Sequence, residues 1–172
     1  MEELELTFLA KYLPQDLRSF PSKEITDIYI PAPAQHPVLR IRKSGTACEI
    51  TKKQPIKPGD ASHQLETTIP LTAEEFSALD RLEGKRVSKI RYYYKQSGTT
   101  FEIDIFQGAL QGLVLVDVEF ETAEEKSAFT APVFCLANVT QETFLAGGML
   151  CGKRYGDIES RLANYKYQRI FV

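Results

Sequence analysis

Alternation of charged and apolar residues constrains this chain more than any other feature, because side chains two positions apart on a β-strand point to the same face of the sheet. Residues 3–8 show the pattern, with Glu3 and Glu5 alternating with Leu4 and Leu6. The same alternation, interrupted by turn residues, predicts further strands at residues 26–30, 38–43, 48–52, 64–69, 87–94, 100–106 and 113–120. The chain is therefore predicted to be mainly β.

The polar faces of these predicted strands are rich in charge and are sorted by sign. The set consists of the acidic pairs Glu3/Glu5, Glu102/Asp104 and Asp117/Glu119, the basic pairs Arg40/Arg42 and Lys89/Arg91, and the single charges Lys52 and Glu66. An open sheet with its polar face in water would account for any one strand. A closed barrel accounts for the set better, because it gathers acidic and basic strands around a polar interior and turns the apolar faces outward.

A polar interior with both signs of charge suits a ligand that needs both. Carboxylates hold hard divalent cations such as Mg²⁺ or Mn²⁺ through oxygen. Arginine and lysine bind phosphate oxygens, arginine often with two hydrogen bonds. A polyphosphate with a bound metal ion meets both demands. The GxxxxGK[ST] loop of Walker-type nucleotide sites does not occur in the sequence.

Composition excludes several other classes of protein. Lysine plus arginine number 21 and aspartate plus glutamate 23, for a net charge of −2 over 172 residues, which argues against a polybasic DNA-binding protein. Apolar runs fall short of the roughly 20 residues of a membrane span, and the acidic start of the chain is unlike a signal peptide. Three cysteines without CxxC spacing favour the reducing cytoplasm.

Helices are predicted mainly in the last third of the chain. TAEE sequences at residues 72–75 and 122–125 are typical of capping boxes. Further helices are predicted at residues 14–20, 140–150 and 157–166, the last with Asp157 as N-cap. We expect one domain over residues 1–172, with the barrel strands mainly in 1–120 and a helical part in 121–172.

At this point the sequence resembles the CYTH domains, also called triphosphate tunnel metalloenzymes. ELELTFL at residues 3–9 is similar to the ExExK opening of that family. Later blocks follow in the family's order and carry the resemblance to about residue 120: LRIRK (39–43), EITK (49–52), the Glu66 strand, KIRY (89–92), FEIDIFQG (101–108) and VDVEF (116–120).

The resemblance implies an eight-stranded antiparallel β-barrel that forms a tunnel, with flanking helices. It implies metal-dependent hydrolysis of a triphosphate compound, with Mg²⁺ or Mn²⁺ as the cofactor. The carried-over metal ligands are Glu3, Glu5 and Glu119, with Asp104 and Asp117 assisting in the metal and water site and Glu66 and Glu102 nearby. The implied phosphate-binding residues are Arg40, Arg42, Lys52, Lys89, Arg91 and, from the C-terminal region, Lys153.

One departure from the family pattern keeps two alternatives open. Thr7 stands where the ExExK motif has lysine, so this position brings no charge to the phosphates. The alternatives to a triphosphatase are a class IV-type adenylate cyclase and a polyphosphate- or nucleotide-binding protein of low activity. We expect a small-molecule triphosphate as the partner, neither DNA nor a membrane, and a homodimer as one arrangement that would cover exposed apolar surface.

Overall fold

The computed structural model describes residues 1–171 and contains nine strands in that part of the chain. Their bounds are β1 Glu2–Ala10, β2 Ser22–Ile30, β3 Leu39–Ser44, β4 Ala47–Pro55, β5 His63–Leu71, β6 Lys85–Gln96, β7 Thr99–Phe106, β8 Val114–Phe120 and β9 Cys135–Asn138. The first eight correspond to the strands predicted from alternation, and β9 was not predicted.

Eight of these strands close into an antiparallel barrel in the order β5-β4-β3-β2-β6-β7-β8-β1, with β1 pairing back to β5. The closing seam is short, since only Glu2, Glu3 and Leu4 pair with β5. Farther along, β1 pairs with β9 instead. The predicted eight-stranded barrel is confirmed, and β1 is shared between three neighbouring strands.

The outer face of β1, β7 and β8 forms one apolar cluster. Ile103, Val116 and Val118 are fully buried there, beneath Phe129 and Phe134 from the segment after β8. This burial follows from the alternation, because the charged neighbours of these residues point the other way, into the barrel.

A second apolar cluster fills one end of the barrel interior. Leu9, Tyr29, Phe106 and Leu115 supply its inner side, and the C-terminal part of the chain supplies the rest. The packing is close at Gly147 and Gly148: a Cβ on Gly147 would lie 2.1 Å from the Tyr29 hydroxyl oxygen, and one on Gly148 would lie 2.1 Å from the Pro37 carbonyl oxygen. The C-terminal segment thus covers this end of the barrel.

The helices are short and are α1 Ala73–Leu79, α2 Ala123–Ala128, α3 Gly147–Leu150 and α4 Tyr155–Ala163. Both TAEE sequences begin helices as predicted, and Thr72 and Glu75 form the complete capping box. The N-cap of α4 is Arg154, and its backbone N–H donates a hydrogen bond of 2.8 Å to the Asp157 carboxylate. The predicted N-cap, Asp157, was therefore wrong by three residues.

The helix predicted at residues 140–150 was also wrong. That stretch is a turn, a 3₁₀ turn at Thr143–Leu145 and the single-turn helix α3. The residues predicted as helix 14–20 form only a 3₁₀ turn at Leu17–Ser19. Within residues 1–171, no helix has the length and apolar character needed to cross a bilayer.

Candidate functional site

A cavity of about 450 Å³ lies in the barrel interior and is lined by side chains from all eight barrel strands. We call it the tunnel. Its middle is charged, and the apolar cluster closes in on it at one end. The structure brings into its wall most of the charged residues singled out in the sequence: Glu5, Glu102, Asp104, Asp117, Glu119, Arg40, Arg42, Lys89 and Arg91. The prediction that acidic and basic strand faces share one interior is confirmed.

Asp104 anchors two of the basic side chains. It is 1% exposed and accepts hydrogen bonds from Arg91, with 2.7 Å between Nε and Oδ1 and 2.6 Å between Nη2 and Oδ2, and from the Lys89 ammonium. Burial alone would raise the pKa of Asp104, but Arg91 and Lys89 hold it well below its usual range. Both oxygens are therefore engaged by cations, and Asp104 positions these cations rather than serving as a free base.

Arg91 extends this network toward the acidic side of the tunnel. It also contacts Glu102 and lies 3.3 Å from Asp117, measured from Nη2 to Oδ2. The other Asp117 oxygen, Oδ1, accepts a hydrogen bond of 2.7 Å from the Thr7 hydroxyl. Thr7 thus contributes no charge to the tunnel, but it orients one of the predicted metal ligands.

Asp27 is a site residue that sequence reasoning missed. It is 2% exposed, and Arg42 binds it with two hydrogen bonds, of 2.7 Å from Nε and 2.8 Å from Nη2. The alternation of residues 26–30 places Asp27 on the same face as Tyr29, and this face lies beside Arg42 in the β2–β3 register. The signal was present in the strand pattern, but only paired charges were singled out.

Arg40 is the least engaged of the tunnel cations. Its Nε lies 4.0 Å from Asp27 Oδ1, and its Nη2 lies 3.9 Å from Glu49 Oε1, both beyond hydrogen-bond distance. Its buried Nε has no hydrogen-bond partner within residues 1–171. Since an unpaired buried donor is costly, Arg40 is suited to an incoming anion.

Lys53, not Lys52, faces the tunnel. The prediction for Lys52 was wrong because β4 alternates in the opposite sense: Thr51 and Lys53 line the interior, and Lys52 is exposed outside. The Lys53 ammonium contacts Glu3 Oε2 and lies 3.3 Å from Glu66 Oε2 and 3.7 Å from Glu5 Oε2. Burial opposes the charge, but these carboxylates raise the pKa of Lys53 well above its usual value.

Lys153 does not join the tunnel either. It lies in the exposed connection between α3 and α4, and its side chain is not part of the tunnel wall. The C-terminal region contributes no lysine or arginine to the tunnel wall within residues 1–171, but it does contribute Glu142 and several polar side chains. Thr140 Oγ1 accepts a hydrogen bond of 3.0 Å from the Thr7 backbone N–H, and the Gln141 side chain bonds Ala61 and Asp60 in the β4–β5 loop.

Four acidic side chains on the β1–β8 side offer only oxygen atoms, the donor type that suits Mg²⁺ or Mn²⁺. They are Glu3, Glu5, Asp117 and Glu119, and Glu5 lies directly opposite Glu119 in the strand register. Burial raises the pKa of Glu5 to about 7; Lys53 opposes this shift, and the neighbouring carboxylates of Asp117, Glu3 and Glu119 add to it. The chemistry of this group therefore fits a divalent cation.

The geometry of these carboxylates is set by hydrogen bonds from the chain itself. Gln64 donates to Glu5 Oε1 at 2.8 Å and to the Ala61 carbonyl at 3.0 Å, while Lys53 holds Glu3. In the described residues, no three His, Cys, Asp or Glu side chains are grouped so that they could hold one metal ion. A metal ion would therefore require some of these side chains to move.

Asp27→Asn is expected to reduce stability in a pH-dependent way. Burial raises the pKa of Asp27, but Arg42 and Arg40 outweigh it, so the folded-state pKa lies below the ordinary value of 3.8. The ionised carboxylate therefore stabilises the fold above about pH 4, and this contribution is lost as the pH falls through the lowered pKa. In urea unfolding, the difference in the free energy of unfolding between wild type and Asp27→Asn should be large at pH 7 and should decrease below pH 4.

The matched control for this titration is Asp80→Asn, which breaks an exposed pair with Arg86. Its effect should be small at every pH, because solvent screens exposed pairs. If the difference in the free energy of unfolding between wild type and Asp27→Asn stayed constant from pH 7 to pH 3, the ion-pair explanation would be contradicted.

Comparison with known proteins places this site in a family. The family model of the CYTH domain matches residues 1–133. An inorganic triphosphatase of Nitrosomonas europaea is 34% identical over 145 residues, which make up 83% of this chain and 91% of that protein. This chain belongs to the CYTH domain family.

Solved structures agree with the CYTH assignment. One inorganic triphosphatase superposes with a TM-score of 0.63 and 28% identity, covering 87% of this chain and 93% of that one. A hypothetical protein superposes with a TM-score of 0.65 and 30% identity, covering 88% and 99%. The CYTH match ends before the C-terminal segment that covers the apolar end of the tunnel.

Proposed function

We propose that this CYTH protein hydrolyses the terminal phosphate of a triphosphate compound inside the tunnel, with Mg²⁺ or Mn²⁺ as cofactor. The observation that carries the proposal is the meeting of five basic side chains with an acidic group in one cavity. These basic residues, counted within residues 1–171, are Arg40, Arg42, Lys53, Lys89 and Arg91. The similarity to an inorganic triphosphatase over 83% of the chain supports the same conclusion.

The basic residues bind and orient the phosphates in this proposal. Arg91 and Lys89 are fixed by Asp104, and Arg42 is fixed by Asp27, so their positions are set before a ligand arrives. Such preorganised cations stabilise the charge on transferred phosphoryl oxygens without reorganisation. Arg40 is the first candidate for direct capture, because it has no hydrogen bond of its own at Nε.

The acidic residues serve the metal side of the reaction. Glu3, Glu5, Glu119 and Asp117 would hold the ion, which, when bound, supplies positive charge to the phosphate oxygens and lowers the pKa of water. Thr7 and Gln64 orient Asp117 and Glu5 by hydrogen bonds. Glu119 is exposed to solvent and is not held by a side-chain hydrogen bond within the described residues, so it is free to turn toward the ion.

We also infer that residues 1–172 act as one domain, because the C-terminal segment packs against Leu9 and Tyr29 of the barrel. The cytoplasm remains the proposed location, supported by three cysteines that stay unpaired within residues 1–171. A homodimer remains a proposal; exposed Leu65 and Ile69 on β5 are the apolar residues it would cover.

Phosphate release from a panel of substrates tests the proposed function. The purified protein should release phosphate from tripolyphosphate, ATP or thiamine triphosphate with Mg²⁺ or Mn²⁺, and excess EDTA should stop the reaction. Pyrophosphate should react poorly, because it cannot span the basic residues as a three-phosphate chain does. The ranking within the panel identifies the organic part of the substrate, if there is one.

The same panel separates the alternatives. Cyclic AMP from ATP would indicate a cyclase, and tight tripolyphosphate binding without phosphate release would indicate a binding protein. Either result, or no phosphate release from any triphosphate with either metal, would overturn the proposal.

A further inference from the structure

The Lys53 ammonium occupies the space between three carboxylates, those of Glu3 and Glu5 of the acidic group and that of Glu66. It contacts Glu3 and lies 3.3 Å from Glu66 Oε2 and 3.7 Å from Glu5 Oε2. The carboxylates come from two different strands, and the lysine reaches them from a third, β4. Its side chain is 26% exposed and forms part of the tunnel wall, so it has open space on one side.

Two of these carboxylates, those of Glu3 and Glu5, are also proposed metal ligands. An ammonium and a divalent cation prefer the same oxygens, and they repel each other when they share them. As described above, the acidic side chains within residues 1–171 are not grouped as a ready metal site. In this arrangement Lys53 supplies the positive charge that the acidic group requires.

We propose that Lys53 is an internal counter-ion that competes with the metal ion for Glu3 and Glu5, and that metal binding releases its ammonium into the tunnel for the triphosphate. The inference rests on the proposed function, because it uses the same metal site. It goes further by coupling the two ligands: the cation nearest the metal becomes available to phosphate only after the metal has bound. No bond is made or broken in this exchange.

Mn²⁺ binding to the metal-free protein, measured by the electron paramagnetic resonance signal of free Mn²⁺ without any phosphate, tests the competition. Lys53→Met removes the competitor and should bind Mn²⁺ roughly tenfold more tightly than wild type, within the usual range of coupling between two ligands. Lys52→Met removes the same charge one residue away on the outer face and should match wild type. Lys53→Arg keeps the charge and should also match wild type.

Tripolyphosphate binding tests the release. In excess EDTA, Lys53 is held by the carboxylates, so Lys53→Met should bind tripolyphosphate as wild type does. With Mn²⁺ present, Lys53→Met should have a raised KM for tripolyphosphate. A lysine that always faces the phosphates would weaken binding under both conditions, and that result would overturn the release step.

Thermal unfolding provides a second measurement in case Lys53→Met folds poorly without metal. Removal of the cation leaves Glu3, Glu5 and Glu66 to repel one another, so metal-free Lys53→Met should melt below wild type. Added Mn²⁺ should then raise its Tm by more than it raises that of wild type, since tighter binding stabilises more. An equal or smaller rise, or Mn²⁺ binding no tighter than in wild type, would overturn the competition.

Failure of this inference is distinguishable from failure of the proposed function. If wild type releases phosphate from tripolyphosphate with Mn²⁺ but Lys53→Met binds Mn²⁺ no more tightly than wild type, the proposed function is retained and the counter-ion role is overturned. If neither protein binds Mn²⁺ and neither releases phosphate, both are overturned.

Discussion

Replacing Glu119 with glutamine is expected to lower metal-dependent turnover of tripolyphosphate by about a hundredfold or more, because even residues that only orient metal ligands are worth 10–100-fold. Glutamine keeps the shape and one oxygen but removes the charge opposite Glu5. Burial and the charges of Glu102 and Glu3 raise the pKa of Glu119, so its negative charge is unfavourable in the folded protein. Glu119→Gln should therefore lose activity without losing stability, with an unchanged or higher Tm.

Glu121→Gln is the matched control for this variant. Glu121 follows two residues later and is exposed just beyond the end of β8. Glu121→Gln removes the same charge from a residue that is not part of the tunnel wall, and should leave turnover at the wild-type level. Phosphate release by Glu119→Gln at the wild-type rate would exclude Glu119 as a metal ligand.

Arg91→Met is expected to produce the largest loss of stability of any single change in the tunnel. Arg91 is 9% exposed and is bound to Asp104, Glu102 and Asp117 at once. Methionine fills part of the space but leaves these carboxylates without their shared cation, and breaking a buried pair in this way costs about 3–5 kcal/mol. Guanidinium unfolding at pH 7 measures the difference from wild type.

A second substitution separates the effect of the lost charge on stability from the effect of the lost packing in Arg91→Met. Glu102→Gln added to Arg91→Met removes a carboxylate charge that Arg91 had neutralised, and should restore part of the lost stability. Arg86→Met, which breaks only an exposed pair with Asp80, should cost no more than about 1 kcal/mol. If Arg91→Met and Arg86→Met proved equally stable, the network around Asp104 would not be what stabilises this part of the fold.

Period-two alternation was sufficient to predict the barrel strands, because one face of each strand is charged and the other apolar. The alternation did not predict the structure of segments that are apolar but have no regular spacing of charged residues. Cys135–Asn138 has no alternating charge, and it becomes β9 only because β1 offers it an open edge. The stretch 140–150 contains helix-forming residues, but only Gly147–Leu150 is α-helical, because the non-helical backbone of Ala146 separates it from the 3₁₀ turn at Thr143–Leu145. Gly147 and Gly148 pack closely against Tyr29 and Pro37, and this tertiary arrangement outweighs helix propensity.

The tunnel residues were predictable where two like charges were spaced two apart. Arg40 and Arg42 fix the inward face of their own strand without ambiguity. Lys52 and Lys53 are adjacent, so the sequence alone does not show which one faces inward; the β3–β4 register decides, since Arg40 lies opposite Thr51. Contributions from loops and the C-terminal segment, such as the bond between Thr140 and Thr7, had no periodic signal at all.

The position of β1 has a consequence for biosynthesis. β1 is translated before the other eight described strands, yet its long pairing is with β8, and it meets β5 only at Glu2–Leu4. At about 5–20 residues per second, the strand waits on the order of ten seconds for its main partner to be translated. Until then Leu6 and Phe8 lack the β8 residues that pack with them in the folded protein, and unpaired strand edges and apolar surface of this kind favour aggregation and chaperone binding.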